Sequence, residues 1–174
     1  TILHAKHIYI IGIRSCAPLA SFMAFYFTLM FPNVHLIQTS SSSEIFEQMV
    51  RIGKEDVIIG ISFPRYSMRT LKAMEFANNR SAKVITLTDS IHSPMNLYSS
   101  CNLIADSDMA SIVDSLVAPL SVINALIVAL CMKKQNEVAK TLEMLEDIWD
   151  EYQVYENDEI NYIDDSIKMR YGKV

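Results

Sequence analysis

The sequence predicts an α/β fold, a three-layer α/β/α sandwich around a parallel sheet. Three observations carry that expectation. Short apolar runs and helical segments alternate for at least four rounds, the pattern of strand–helix–strand units. Runs such as Ile8-Tyr9-Ile10-Ile11 show no polar alternation, which suits strands covered on both faces. The length of 174 residues and the 51% hydrophobic content supply one buried core and exclude disorder as the main description.

The elements follow in order. Ile8 to Ile11 is the first strand, closed by Gly12. Pro18 to Phe31 reads as a helix that is apolar nearly all round. Pro18 fits its first turn, where a missing N–H costs nothing, and Pro32-Asn33 ends it. Val34 to Ile37 is the second strand. Ser41-Ser42-Ser43-Glu44 matches a capping box, with Ser41 as N-cap and Glu44 at the third helical position. That helix is expected to run to about Ile52 and stop at Gly53. Asp56 to Ile61 is the third strand, and Ser62 to Tyr66 a loop. Ser67 to about Asn79 is a helix with Leu71, Met74 and Ala77 on one face. Lys83 to Thr88 is the fourth strand, and Leu103 to Ala105 a weaker fifth. A long apolar helix is expected from about Ile112 to Lys133, and another from near Asn136. In the last, Val138, Leu142, Leu145, Trp149 and Tyr152 form a stripe with an acidic back. The domain is expected to occupy residues 1–134. Residues 135–174 form a helix and acidic tail, packed on the domain or on a partner subunit.

The formal net charge of −5 is unevenly spread. Residues 143–165 hold ten acids and no Lys or Arg, whereas residues 1–142 hold 12 basic and 10 acidic side chains. Nothing here grips a phosphate backbone by charge alone. Cys16, Cys101 and Cys131 have no CxxC spacing, which fits a reduced cytoplasmic protein without a disulfide framework. His4, His7, His35 and His92 are scattered, so no metal site and no cofactor is expected. From Ser15 to Ser43 there is no charged residue. Prolines and the serine run interrupt that stretch, which reads as a buried helix and a strand, not a membrane span. No signal peptide is expected. The first residue, Thr1, suggests a processed product or an excised domain.

Two loops leave the carboxyl end of a strand and enter a helix. They are Gly12-Ile13-Arg14-Ser15 and Ser62-Phe63-Pro64-Arg65-Tyr66-Ser67. If the first and third strands are neighbours, as in a 2-1-3-4-5 order, the loops meet at the switch point where α/β sheets bind ligands. Each offers backbone N–H groups at a helix N-terminus and a serine hydroxyl, the donors a phosphate monoester needs. Arg14 or Arg65 would neutralise its second charge. Ser15 and Ser67 are equally read as ordinary N-caps. Neither loop is a P-loop or a dinucleotide fingerprint.

The segments Ile10-Ile11-Gly12-Ile13-Arg14-Ser15 and Gly60-Ile61-Ser62-Phe63-Pro64-Arg65-Tyr66-Ser67 resemble the sugar isomerase (SIS) domain. The resemblance is closest to the effector domain of RpiR-type bacterial transcriptional regulators and covers roughly residues 5–132. Gln38 to Glu44, Leu87 to Ser90 and Ser93-Pro94 sit where that family has its loops. The resemblance implies a flavodoxin-like, five-stranded parallel sheet that binds phosphosugars. It implies that the loop from Ser62 to Ser67 holds the phosphate, helped by Ser41, Ser42 and Ser43. It also implies a helix-turn-helix domain upstream, through which alone DNA would be bound. Where the general SIS pattern has a small Ser-Gly-type loop, this chain has the bulkier Pro64-Arg65-Tyr66.

The expected ligand-binding set is therefore Gly12, Arg14, Ser15, Ser41, Ser42, Ser43, Ser62, Arg65, Tyr66 and Ser67. An SIS isomerase needs a base to move a proton between C1 and C2 of an open-chain sugar. Glu44, His92 and Asp114 are the candidates, and the sequence places no acid–base pair among them. A phosphosugar sensor is thus expected, with an aldose–ketose isomerase as the alternative and an assembly domain with a vestigial pocket as the third class. The two apolar helices, too hydrophobic for one buried face each, predict a homodimer or tetramer.

Overall fold

The structure, a computed structural model, describes residues 1–155 apart from 40, 109–111 and 113. Ser40 of the serine run and the acidic tail from Glu156 onward lie outside the described residues. Five strands form one parallel sheet, β1 (Ile8–Gly12), β2 (Val34–Ile37), β3 (Val57–Ile61), β4 (Lys83–Thr88) and β5 (Cys101–Ile104), in the order β2-β1-β3-β4-β5. Across it, Ile10 sits opposite Leu36 on one side and Ile59 on the other, and Ile59 sits opposite Ile85. The central strands β1 and β3 are buried throughout, whereas the edge strands β2 and β5 are partly exposed. That is why β1 and β3 carry no charged residue.

Helices cover both faces. Tyr9, Ile11, Ile58 and Val84 pack with Ile45 and Met49 on one side and with Ala73, Met74 and Ala77 of α3 (Met68–Asn79). Ile45 lies in α2 (Ser42–Gln48). On the other face lies α1 (Ala17–Met30), packed on β1, β2 and α4 (Val117–Lys133). Two glycines make this stacking fit. A Cβ on Gly12 would stand 2.6 Å from the Cys16 carbonyl oxygen, and one on Gly60 would strike Met74 of α3.

Several sequence expectations shift. The long apolar helix begins at Val117, not near Ile112, so Asp114 precedes it. The chain enters α1 through a single 3-10 turn, Arg14–Cys16, and Cys16, not Ser15, occupies the N-cap. α2 ends at Gln48, with turns continuing towards Ile52. The capping box is not made. Ser41 holds the N-cap position, but its hydroxyl pairs with Ser43 Oγ at 2.8 Å and makes no capping bond to a helix amide. Its amide donates to Thr39 Oγ1 at 3.0 Å, and the Thr39 hydroxyl donates to the Glu44 carboxylate. Thr39, two residues before the N-cap, thus takes the Ser41 amide that the pattern gave to the Glu44 side chain.

Residues Thr1–Lys134 form one compact unit, and a second begins at Gln135. The second unit contains α5 (Gln135–Glu151), which has no buried residue; Trp149 and Tyr155 meet edge to face there at 5.3 Å. Among the described residues no single helix is long and apolar enough to cross a membrane.

Candidate functional site

Because β1 and β3 are adjacent, the loops that follow them meet at the carboxyl edge of the sheet. Between them lies a cleft of about 570 Å³. Arg14, Ser15, Ser62, Arg65, Tyr66 and Ser67 all line it. Gly12, Ser41, Ser42 and Ser43 do not. Gly12 serves instead by lacking a side chain, which lets the Arg14–Cys16 turn approach the strand end.

The loop after β3 is built around two serines. Ser62 is buried, and its Oγ accepts a hydrogen bond from Ser67 N at 2.9 Å. Ser67 caps α3, its Oγ accepting from Thr70 N at 3.3 Å. Each oxygen is thereby fixed as an acceptor within the protein, and each hydroxyl hydrogen is left to be donated. The amides of Met68 and Arg69, in the first turn of α3, have no acceptor among the described residues. The Ser67 amide is spent on Ser62, so the loop offers hydroxyls and first-turn amides and not its full row of N–H groups. Facing this loop, Arg14 sits at φ 59, a left-handed conformation that costs a non-glycine residue about 1–2 kcal/mol.

The electrostatics are lopsided. Arg14, Arg65 and Arg69 line the cleft, and Asp114 is its lining carboxylate. None of the three guanidinium groups has a carboxylate within 4.0 Å among the described residues. Arg69 was absent from the sequence reading, although a signal for it existed. A cation in the first turn of a helix opposes the positive end of the dipole, an arrangement that an anion at the helix end offsets.

Tyr66 is held from behind. Its hydroxyl donates to Asp89 Oδ1 at 2.9 Å and lies 3.2 Å from Oδ2. Burial, and then the Asp89 carboxylate, push the phenol above its ordinary 10.0, against an opposing hydrogen bond from Ser93. Asp89 does not line the cleft, and its pairing with Tyr66 across 23 positions leaves no signal in the sequence. Cys16 does line it, but burial, with a further push from Asp114, raises its thiol and keeps it protonated at neutral pH. Of the base candidates, Asp114 alone reaches the cleft. Glu44 is bound to Thr39, and His92 is exposed.

Comparison with known proteins agrees with this architecture. Residues 1–129 match the SIS domain family. Over 98 residues the chain is 32% identical to an uncharacterised helix-turn-helix-type transcriptional regulator of Caldanaerobacter subterraneus subsp. tengcongensis. That stretch is 54% of this chain and 35% of the regulator, so the chain spans about a third of that relative's length. The fold superimposes on the sugar isomerase domain of an RpiR transcription factor from Sphaerobacter thermophilus with a TM-score of 0.79 at 22% identity, over 84% of this chain and 81% of that one. It superimposes on the Vibrio vulnificus NanR protein complexed with ManNAc-6P with a TM-score of 0.72 at 18% identity, over 84% and 58%. At such identities the two structures speak for the fold, while the match over residues 1–129 speaks for the family: this chain belongs to the SIS domain family.

Proposed function

We propose that the chain is the phosphosugar-sensing effector domain of an RpiR-type transcriptional regulator acting in the cytoplasm. The observation that carries the reading is the cleft between the β1 and β3 loops. Two oriented serine hydroxyls and free first-turn amides converge there with three guanidinium groups against one carboxylate. A phosphate monoester carries about −2 at neutral pH, which matches that excess. The similarity to a transcriptional regulator and an RpiR transcription factor, and to the NanR protein complexed with ManNAc-6P, supports a sugar phosphate or amino-sugar phosphate as the effector. DNA would be bound through a helix-turn-helix domain outside this chain. The signal would be differential affinity for two arrangements of an oligomer.

The oligomer belongs to the same proposal. α1 leaves Phe25 62% exposed and α4 leaves Met132 74% exposed, with Val117 and Val128 also at the surface. A homodimer or tetramer built on these helices would cover them. A solution mass near 19.7 kDa would overturn that part.

A thermal-shift titration tests the function. Phosphosugars should stabilise the protein by about 2.7 kcal/mol at a hundredfold excess over Kd, and the matching free sugars should not. Equal stabilisation by the free sugar overturns the reading. One observation favours a second reading, an aldose–ketose isomerase: Asp114 stands in the cleft as a carboxylate that a proton transfer would use. Turnover of a ketose phosphate that is lost in Asp114→Asn would establish it.

A further inference from the structure

We propose that Asp89 sets which sugars the cleft accepts, by fixing the Tyr66 side chain as one wall of the cavity without lining the cavity itself. The inference rests on the reading of the cleft as a phosphosugar site, and it deepens that reading.

Tyr66 is anchored at two points. Its backbone lies in the loop between β3 and α3, the residue lines the cleft, and its side chain packs partly buried against the core cluster under β1 and β3. Its hydroxyl is not in the cleft's service, being given to the Asp89 carboxylate at 2.9 Å. A tyrosine ring is placed by two torsions; holding the hydroxyl fixes the first, which aims the ring, while rotation about the ring's own long axis leaves the hydroxyl where it is. Asp89 is itself well fixed, as the first residue beyond β4. The buried Thr88 hydroxyl lies 3.1 Å from Asp89 Oδ1 and 2.9 Å from Ser93 Oγ. The far end of the ring is thus tied to the sheet next door to the strand that carries its near end. Pro64 and Arg65, the two loop residues before Tyr66, are exposed.

The second step is that this network and the phosphate donors are separate. Ser62 and Ser67 are oriented by backbone amides within their own loop and helix, at 2.9 and 3.3 Å. They exchange no hydrogen bond with Tyr66 or Asp89 among the described residues. The ring is also bulky where a smaller residue would leave the cleft wider. Loosening the ring therefore changes the space beside the phosphate and leaves the phosphate's own donors in place. A size filter made this way discriminates among sugars and is indifferent to phosphate alone.

The test is calorimetric titration of the purified chain with inorganic phosphate, glycerol 3-phosphate, glucose 6-phosphate and N-acetylglucosamine 6-phosphate. The variants are Tyr66→Phe, Asp89→Ala and Asp89→Asn. Tyr66→Phe keeps the ring and cuts the tether, so it answers the question even where Asp89→Ala fails to fold. In Tyr66→Phe and Asp89→Ala, the ratio of affinities between the smallest and largest sugar phosphates should move by about tenfold or more. Inorganic phosphate should hold within about twofold. Asp89→Asn, which keeps an acceptor oxygen for the phenol, should restore most of the wild-type ratio. A uniform loss across all four ligands, an unchanged ratio, or an Asp89→Asn protein that behaves like Asp89→Ala overturns the role of Asp89 while leaving the phosphosugar reading intact. Failure of the wild type to bind any of the four overturns both.

Discussion

At the amino-terminal edge of the sheet a cavity of about 460 Å³ is lined by Lys6, Lys54 and Lys83; at the carboxyl edge one of about 570 Å³ is lined by Arg14, Arg65 and Arg69. The two are close in size and in cationic content, yet they differ in what is left over. At the amino edge the ladder closes on itself: Lys6 N, Val57 N and Lys83 N all find carbonyls at 2.9–3.0 Å. Asp56 is buried and accepts from Gly53 N at 2.8 Å and His7 N at 3.2 Å. Glu55 stands 3.8 Å from Lys6. At the carboxyl edge the chain turns from strand into helix, so first-turn amides and hydroxyls remain unspent. The difference comes from topology. A helix that connects parallel strands starts at the carboxyl end of the strand it follows, and only there does the backbone add donors to the side-chain charge.

The largest effect should follow from removing the oriented hydroxyls. Ser62→Ala with Ser67→Ala removes two hydrogen bonds to a charged ligand, at about 1.5–3 kcal/mol each. Phosphosugar affinity should fall a hundredfold or more, read by calorimetry. Stability should fall by about 1 kcal/mol through the lost N-cap. The same double change at the amino edge, Lys54→Ala with Lys83→Ala, should leave phosphosugar affinity unchanged. Equal losses at the two edges would show that charge alone, and not unspent donors, makes the site.

Glycines sharpen the contrast at the level of the fold. Gly12→Ala forces a Cβ to within 2.6 Å of a backbone oxygen and 3.1 Å of Ala20 Cβ, and overpacking of that kind costs about 1–3 kcal/mol. Gly53, near the amino edge, has nothing within 4 Å of a built Cβ and does not adopt a positive φ. Gly53→Ala should therefore be neutral or stabilise by a few tenths of a kcal/mol through the unfolded chain. Urea midpoints of the two variants check both. A destabilised Gly53→Ala would place a contact where the structure has open space.

Smaller again is the effect of single charges. Arg65→Ala or Arg69→Ala should weaken phosphosugar binding by about tenfold at low salt and less at high salt. Both side chains are exposed, so screening reaches them. A loss independent of ionic strength would mean that these guanidinium groups act by direct, buried contact.

How far the sequence revealed all this depends on the range of the interaction involved. The strands were legible because burial on both faces leaves its mark on every residue of β1 and β3. The loops Arg14-Ser15 and Ser62 to Ser67 were legible because a strand end, a helix start and a serine are close in sequence. Long-range pairings left no such mark. Tyr66 and Asp89 stand 23 positions apart, and nothing in the spacing joins them. Local competition was also hidden. Ser41 and Glu44 have the spacing of a capping box, but Thr39 offers a hydroxyl to both the Ser41 amide and the Glu44 carboxylate and displaces the pattern. The start of α4 was misread because apolar content continues past the point where helical structure does: Ile112 is 94% exposed and precedes the first helical residue, Val117.

The smallest effect expected is a pH dependence confined to the carboxyl edge. Burial and the Asp89 carboxylate raise the Tyr66 phenol above its ordinary 10.0, so the folded state favours the protonated form more than the unfolded chain does. Stability from that preference is complete below the unfolded value and is lost as pH rises through the folded one. Wild type should therefore lose stability as pH rises past about 10 by more than Tyr66→Phe does. Tyr9 and Tyr98 are raised as well, but both remain in the variant, so the difference between the two proteins isolates Tyr66. Because the phenol is only half-buried, solvent screening keeps the difference small, and it is best read as a divergence of urea midpoints across the range. Parallel pH profiles would mean that the folded state does not favour the protonated phenol over the unfolded chain, and that burial and Asp89 together leave Tyr66 as it is in water.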